Sequence, residues 1–300
     1  MFISKLNEEE IMINRKVVNR YTPAEGRGFL GAGHTARAII QVPFAQSDPF
    51  VLLMDDVLDK KDEEPAGGPH PHAGFETVSL LLQGEIGDHR HTLKAGDMQL
   101  MTAGRGVVHS EVIEKKSKMR LLQLWLNLPK KYRWISPRVQ DIAAERVPVL
   151  KRAGMYAKVY SGALEGVSSP VENYTPFILA DIHLEASTFT TLTLPTHYST
   201  FIYVLEGSVK VGENRQLLGQ HQVGWLDRFA EQSESRLLLH TESVSSRFVL
   251  YAGQPQHDQI IQHGPFIVDH KEDIPPLFRK YRTGQLPHIA EVDAVNILRY

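Results

Sequence analysis

The stretch that decides the fold is "PHPHAGFETVSLLLQGEI" (69–86). It opens on alternating prolines and histidines, passes through Ala73-Gly74, and becomes a short apolar run that stops at Gly84. An apolar run of this length, rich in Thr, Val and Leu and bounded by Pro and Gly, reads as a strand. The same pattern returns in "PFVLLMDDV" (49–57), "MRLLQLWLNL" (119–128), "FIYVLEGSVKVG" (201–212) and "RFVLYAG" (247–253). Helical periodicity is scarce. It is expected only over 137–147 and in "KEDIPPLFRKYRTGQL" (271–286), where Pro275-Pro276 open a C-terminal helix behind acidic residues. The chain is therefore expected to be all-β, built of barrels or sandwiches with a few short helices.

Working outward, "LLQGEI" around Gly84 recurs as "VLEGSV" around Gly207, an offset of 123 residues. Gly96 in "KAGDMQ" and Gly219 in "LLGQHQ" share that offset. With 300 residues, about two typical domains, this predicts a duplicated β-barrel, with domains at 1–138 and 139–300. The charged, proline-containing "LPKKYRWISPRVQDIAAERVP" (128–148) reads as the linker. The second copy lacks the chemistry of the first. At the same offset His70 falls on Thr193, His72 on Pro195 and His109 on Gln232, and only Glu111 meets a like residue, Glu234. Those side chains are thus not what the barrel needs in order to form.

Composition narrows the function. Hydrophobic residues make up 42% and charged residues 23%, ample for packed cores. A formal net charge of −2 gives no general attraction to nucleic acid or anionic lipid. No direct nucleic-acid binding and no membrane association are expected, since no run of about 18 apolar residues occurs. The N-terminal "MFISKLNEEEIMINRKVV" does not resemble a signal peptide, so a cytoplasmic location is expected. There are no cysteines, so thiolate metal sites are excluded.

Histidine and carboxylate ligands remain. In a strand, residues i and i+2 share a face, so His70 and His72 project together. His109 and Glu111, in "TAGRGVVHSE" (102–111), do the same. Each pair alone is most simply an exposed strand feature. Together, flanking turn-rich segments of one half, they suit a divalent first-row ion with coordination positions to spare: Fe(II), Mn, Ni, Cu or Zn. Glu76 shares parity with His70 and His72, and spacing leaves Glu76 and Glu111 both open as the carboxylate. His89 and His91 read as exposed hairpin residues.

"HPHAGFETVS" (70–79), "AGDMQLMTAGRGVVHSE" (95–111), "LQLWLNLPKK" (122–131) and "IQHGPFIV" (261–268) resemble the pirin family, in order and over most of the chain. The resemblance implies two tandem cupin (jelly-roll type) β-barrels with iron in the N-terminal one. His70, His72, His109 and Glu111 match the ligand positions, which selects Glu111 over Glu76. It also implies quercetinase-like activity: dioxygen opens the heterocyclic ring of a flavonol-like aromatic substrate and carbon monoxide leaves. Glu111 is the candidate base, with Phe75, Met98, Leu100 and Met101 as candidate apolar walls. Arg105 is expected to meet an anionic substrate or the site carboxylate, or to pair with an acid such as Asp97. The alternative is an iron-dependent redox-sensing partner of a transcription factor or metabolic enzyme. Ala73 stands where many relatives carry Arg, and the hairpin 83–97 is shorter than theirs.

Overall fold

The computed structural model describes residues 12–87, 92–113 and 116–300. Two β-structures pack together. Among the described residues, one sheet has eight strands and belongs largely to the first half, and the other has eleven and belongs largely to the second. The expected strands are present as Phe50–Lys60, Phe75–Gln83, Ser117–Asn127, Ser199–Val211 and Ser246–Gly253. Phe75–Gln83 lies between Met98–Thr102 and Ser117–Asn127, and Ser199–Val211 lies between Val223–Leu226 and Ser246–Gly253. The fold is that of two cupin barrels.

The apolar runs are continuous because both strand faces are buried. Phe201, Tyr203 and Leu205 join Val78, Leu80, Met98, Leu100, Leu122 and Leu124 in the layer between the barrels. Ile202 and Val204 point the other way, into the second barrel, with Ala180, Ile182, Leu237, Phe248 and Leu250. Polar contacts also cross the apolar layer, among them Tyr160 donating to the Gly96 carbonyl at 2.9 Å. Tyr203 donates to Asp55 Oδ2 at 2.6 Å, and the same carboxylate takes a two-pronged pair from Arg120 at 3.0 and 2.9 Å.

The interiors of the two barrels differ in kind. Ser79 lies beside Gln99 and Gln123 across the first sheet, whereas the corresponding Ile202 lies beside Gly224 and Leu250. The first barrel therefore carries polar groups at this level of its interior, next to a hydrocarbon cluster that includes Leu81, Leu93 and Leu121, and the second is filled with hydrocarbon.

The repeat holds for the first glycine pair and shifts at the second. Gly84 and Gly207 both have positive φ, +86° and +68°. A Cβ there would lie 2.2 Å from the Lys118 carbonyl oxygen or 1.9 Å from that of Ser245. The Gly96 amide, however, donates to Leu81, and the matching bond, to Val204, comes from His221. His221, at φ +63°, is the counterpart of Gly96. Turn geometry fixes this register, and the shared glycine interval was coincidental.

The 137–147 segment is not helical. Arg138–Ile142 is a strand, antiparallel to Met98–Thr102 and parallel to Ile297–Arg299. Its polar residues find distant partners: Asp141 with Gln99, and Gln140 with Glu172 and Tyr300. Such tertiary pairing outweighs local helical periodicity.

The termini cross between the barrels. Ile13–Asn14 and Val17–Tyr21 pair with Glu234–His240 and Val223–Leu226 of the second barrel, while Ile297–Arg299 joins the first. Arg15 is fully buried at the first crossing, bonded to Asp227, Ser235 and the Pro195 carbonyl. The C-terminal helix, Ile274–Arg282, carries prolines in its first turn as expected. Its Leu277 packs with Phe266, Val268 and Ala73, so the helix braces the chain next to His72. Among the described residues no helix is long and apolar enough to cross a membrane.

The shifted repeat sets up a stability comparison. Gly84→Ala and Gly207→Ala should each cost about 1–3 kcal/mol or more, since a side chain is forced into left-handed backbone against a carbonyl. Gly219→Ala, with nothing within 4 Å of its Cβ position, should change stability by less than about 0.5 kcal/mol. Urea unfolding of the three variants checks this, and equal losses at Gly207 and Gly219 would contradict the corrected register.

Candidate metal centre

The two histidine segments meet in a small antiparallel ladder of their own. Pro69–His72 pairs with Val107–Ser110, with His70 opposite His109 and His72 opposite Val107. Pro71 between the histidines lacks an N–H, which a short edge strand tolerates. Cross-strand pairing brings His109 against His70, and the two-residue period adds His72 on the same face.

The three rings converge through one atom each. His109 Nε2 lies 2.8 Å from His70 Nε2 and 3.1 Å from His72 Nε2. His70 Nδ1 is 2.9 Å from the Gly68 carbonyl, so its proton sits there and its Nε2 lone pair faces inward. Burial, then the neighbouring His70, pushes His72 down to about 3, and burial with the two other rings pushes His109 well below its ordinary value. His72 and His109 are therefore neutral, the form that binds metal. His72 Nδ1 makes no well-formed hydrogen bond, although the Pro265 carbonyl favours a proton there.

These observations fit a cation. Three Nε2 atoms that face one another can turn their lone pairs onto a single positive ion between them. Nitrogens at right angles on an ion ~2.1 Å away would stand about 3 Å apart, close to the spacings seen. Among the described residues, His70, His72 and His109 are the group whose ligand atoms all lie within 4.8 Å of one another.

Glu111 is not within that group. Its Oε1 accepts a 2.7 Å hydrogen bond from Gln123 Nε2, and the residue lines the adjoining cleft. Burial of the carboxyl end and the nearby Asp56 charge raise it to about 7 against the Gln123 bond. Asp56 in turn contacts the buried His34 at 2.9 Å. Glu76 is fully buried below the site. Thr102 donates to its Oε1 at 2.6 Å, its Oε2 has no partner, and burial raises it to about 7.

The cleft beside His109 and Glu111 holds about 810 Å³ including its open mouth. Ile86, Leu93, Val139, Ile289 and Ile297 form apolar walls, with Ser79, Gln99, Asp141 and His288 among them. The expected walls are elsewhere. Phe75 stacks near Trp125 at 4.5 Å beneath His72, Met98 and Leu100 fill the layer between barrels, and Met101 packs with Ala103, Val107 and Val139. All four are core residues: strand parity turns Met98 and Leu100 away from the cleft, while Phe75 and Met101 share the face of Ser79 and Gln99 and are buried under their neighbours.

Arg105 is exposed, and Asp97 is instead held by the Lys94 and Ala144 amides. Ala73 is fully buried against Phe266 and Val268, which leaves no room there for a rim charge. His89 and His91 lie outside the described residues.

Sequence reasoning missed several residues. Gln123 positions Glu111. Arg133, fully buried, holds the Gly74 carbonyl at 3.1 Å and Asp269 at 2.9 Å. His288 reaches the site from the far end of the chain. A polar residue at an inward strand position, as at Gln123, is a signal that the pattern of an otherwise apolar strand does carry.

At offset 123 Thr193 takes the place of His70, and strand pairing sets Arg236 opposite it, where His109 stands opposite His70. The exact counterpart of His109 is thus Arg236 and not Gln232, since the connection to that strand is two to four residues longer.

Fold and site together define a tandem cupin whose histidine cluster, among the described residues, lies in the first barrel. Comparison with known proteins gives the family. Residues 34–126 match the pirin family model, and residues 179–287 match that of the pirin C-terminal cupin domain. Human pirin is 33% identical over 265 residues, covering 85% of this chain and 89% of that protein. A pirin-like protein of Solanum lycopersicum is also 33% identical, over 263 residues, covering 85% and 88%. The chain belongs to the pirin family. Among solved structures, GK1651 from Geobacillus kaustophilus is 32% identical with a TM-score of 0.75, covering 83% of this chain and 100% of that one. A quercetin 2,3-dioxygenase from Acinetobacter baumannii is 26% identical with a TM-score of 0.78, covering 92% and 99%.

Glu76 generates a pH prediction. Its acid is raised in the fold from 4.5 to about 7. The stability tied to its protonated form is thus complete below about pH 4.5 and lost as pH rises through about 7. Glu76→Gln removes that dependence. In metal-free protein its stability relative to wild type should rise between pH 5 and pH 8 by about 2–3 kcal/mol. Denaturant unfolding of both proteins measures it, and a difference that stays constant with pH would contradict the buried acid.

Proposed function

We propose that this chain is a metal-dependent dioxygenase of the quercetin 2,3-dioxygenase type, holding Fe(II) at His70, His72 and His109 with Glu111 completing the ligand set. The observation that carries the reading is the convergence of three imidazoles beside an open cleft, in the barrel whose interior carries Ser79, Gln99 and Gln123. The likeness to the Acinetobacter baumannii quercetin 2,3-dioxygenase supports the reaction class.

A bound divalent ion would supply positive charge for the deprotonated 3-hydroxyl and 4-keto oxygens of a flavonol, and coordination for dioxygen. The chain's own residues do the rest. Ile86, Leu93, Val139 and Ile297 receive flat aromatic rings and exclude water. Gln123 fixes one oxygen of Glu111 and leaves the other to take the proton of the 3-hydroxyl. The Gly68 carbonyl holds the His70 ring in the tautomer that presents Nε2.

The test is purification without oxygen, metal analysis, and an assay of flavonol loss and carbon monoxide release. His109→Ala should lose most of its bound metal and all measurable turnover, and full metal occupancy in that variant overturns the ligand assignment. Glu111→Gln should retain part of the metal and lose turnover about a hundredfold or more. Wild-type protein with full iron and no flavonol turnover would favour the regulatory, redox-sensing alternative.

A further inference from the structure

The match to the pirin C-terminal domain ends at residue 287. The next residue, His288, is where the chain returns to the first barrel. The Val108 amide donates to the Pro287 carbonyl at 2.9 Å, and His288 bridges to Val108 in parallel, beside the strand carrying His109. The chain then makes one turn at Ile289–Glu291 and ends as the strand Ile297–Arg299 against Arg138–Ile142. Tyr300 fastens the end: its amide donates to the Asp141 carbonyl at 2.9 Å, and its hydroxyl bonds Gln140. His288, Ile289, Ala290, Ile297 and Arg299 thus line the cleft together with His109 and Glu111.

The His288 tautomer is set by the backbone. Its Nδ1 accepts a hydrogen bond from the Ala290 amide at 3.2 Å, so in the neutral ring Nε2 carries the proton. That Nε2 lies 3.4 Å from Ser110 Oγ, a long contact. The result is an N–H donor held at a known place beside the histidine cluster and engaged only weakly by protein.

We propose that His288 binds substrate. Its Nε2–H donates to an oxygen of a planar, oxygen-rich aromatic ligand seated at the histidine cluster, and the segment 288–299 is the wall that orients the ligand's ring plane. The inference rests on the dioxygenase reading for the ligand's identity, and on this chain's own geometry for the residue. Ser110 Oγ is the partner His288 gives up when the ligand enters. Ile289 and Ile297 supply the apolar contact on either side of that donor.

Equilibrium titration with quercetin under nitrogen, using wild-type protein loaded with metal, tests this independently of turnover. The shift of the flavonol absorption band reports binding, and metal content is measured for every variant. His288→Ala should bind about tenfold or more weakly, with metal content and melting temperature unchanged. His288→Gln, which keeps a donor on the same side, should recover part of the loss. An unchanged Kd in His288→Ala overturns the proposal. So does a weakened Kd that His288→Gln does not improve at all, since that pattern belongs to lost packing. Quercetin bound tightly but not consumed in air would sink the ring-opening reading and leave His288 standing. No binding to the loaded wild type overturns both.

Discussion

The structure turns on one short pairing, Pro69–His72 against Val107–Ser110. It is small, yet it closes a loop spanning most of the first barrel and sets three imidazoles within reach of one another. Nothing in the pairing needs histidine: backbone hydrogen bonds fix the register, and the two-residue strand period selects the face. Histidine then converts that register into a converging set of lone pairs. A one-residue slip would send His109 to the opposite face and end the site.

Why the site exists once is a matter of what fills each barrel. Both copies use their outward faces for the shared apolar layer, so those positions match: Val78 with Phe201, Leu80 with Tyr203. Their inward faces have separated. Ser79, Gln99 and Gln123 leave the first barrel with polar groups and open space, and Ile202 and Leu250 close the second with hydrocarbon. The apolar barrel serves as support, and its sequence was free to lose its ligands because the fold never depended on them.

The crossing of the termini joins the two. Ile13–Asn14 and Val17–Tyr21 add to the second barrel's sheet and Ile297–Arg299 to the first. At the C-terminal end this has a chemical consequence. The chain's final residues become part of the cleft wall, and a histidine from position 288 comes to stand beside one from position 109.

The sequence by itself determined the class of fold, the duplication, the C-terminal helix and the three histidines. These follow from local pattern: short apolar runs between turn residues, prolines in a first helical turn, and i, i+2 spacing on a strand. What only the tertiary structure decided is what depends on distant partners. Arg138–Ile142 became a strand because two distant strands flank it, and His221 replaced Gly219 as the turn residue because backbone bonds, not residue identity, set the equivalence. Phe75, Met98, Leu100 and Met101 entered the core, and Ile86, Leu93, Ile289 and Ile297 became the walls. Parity along a strand says that two residues share a face. Which face looks into the cleft is settled only when the sheet curls and packs, and that is decided by the whole chain at once.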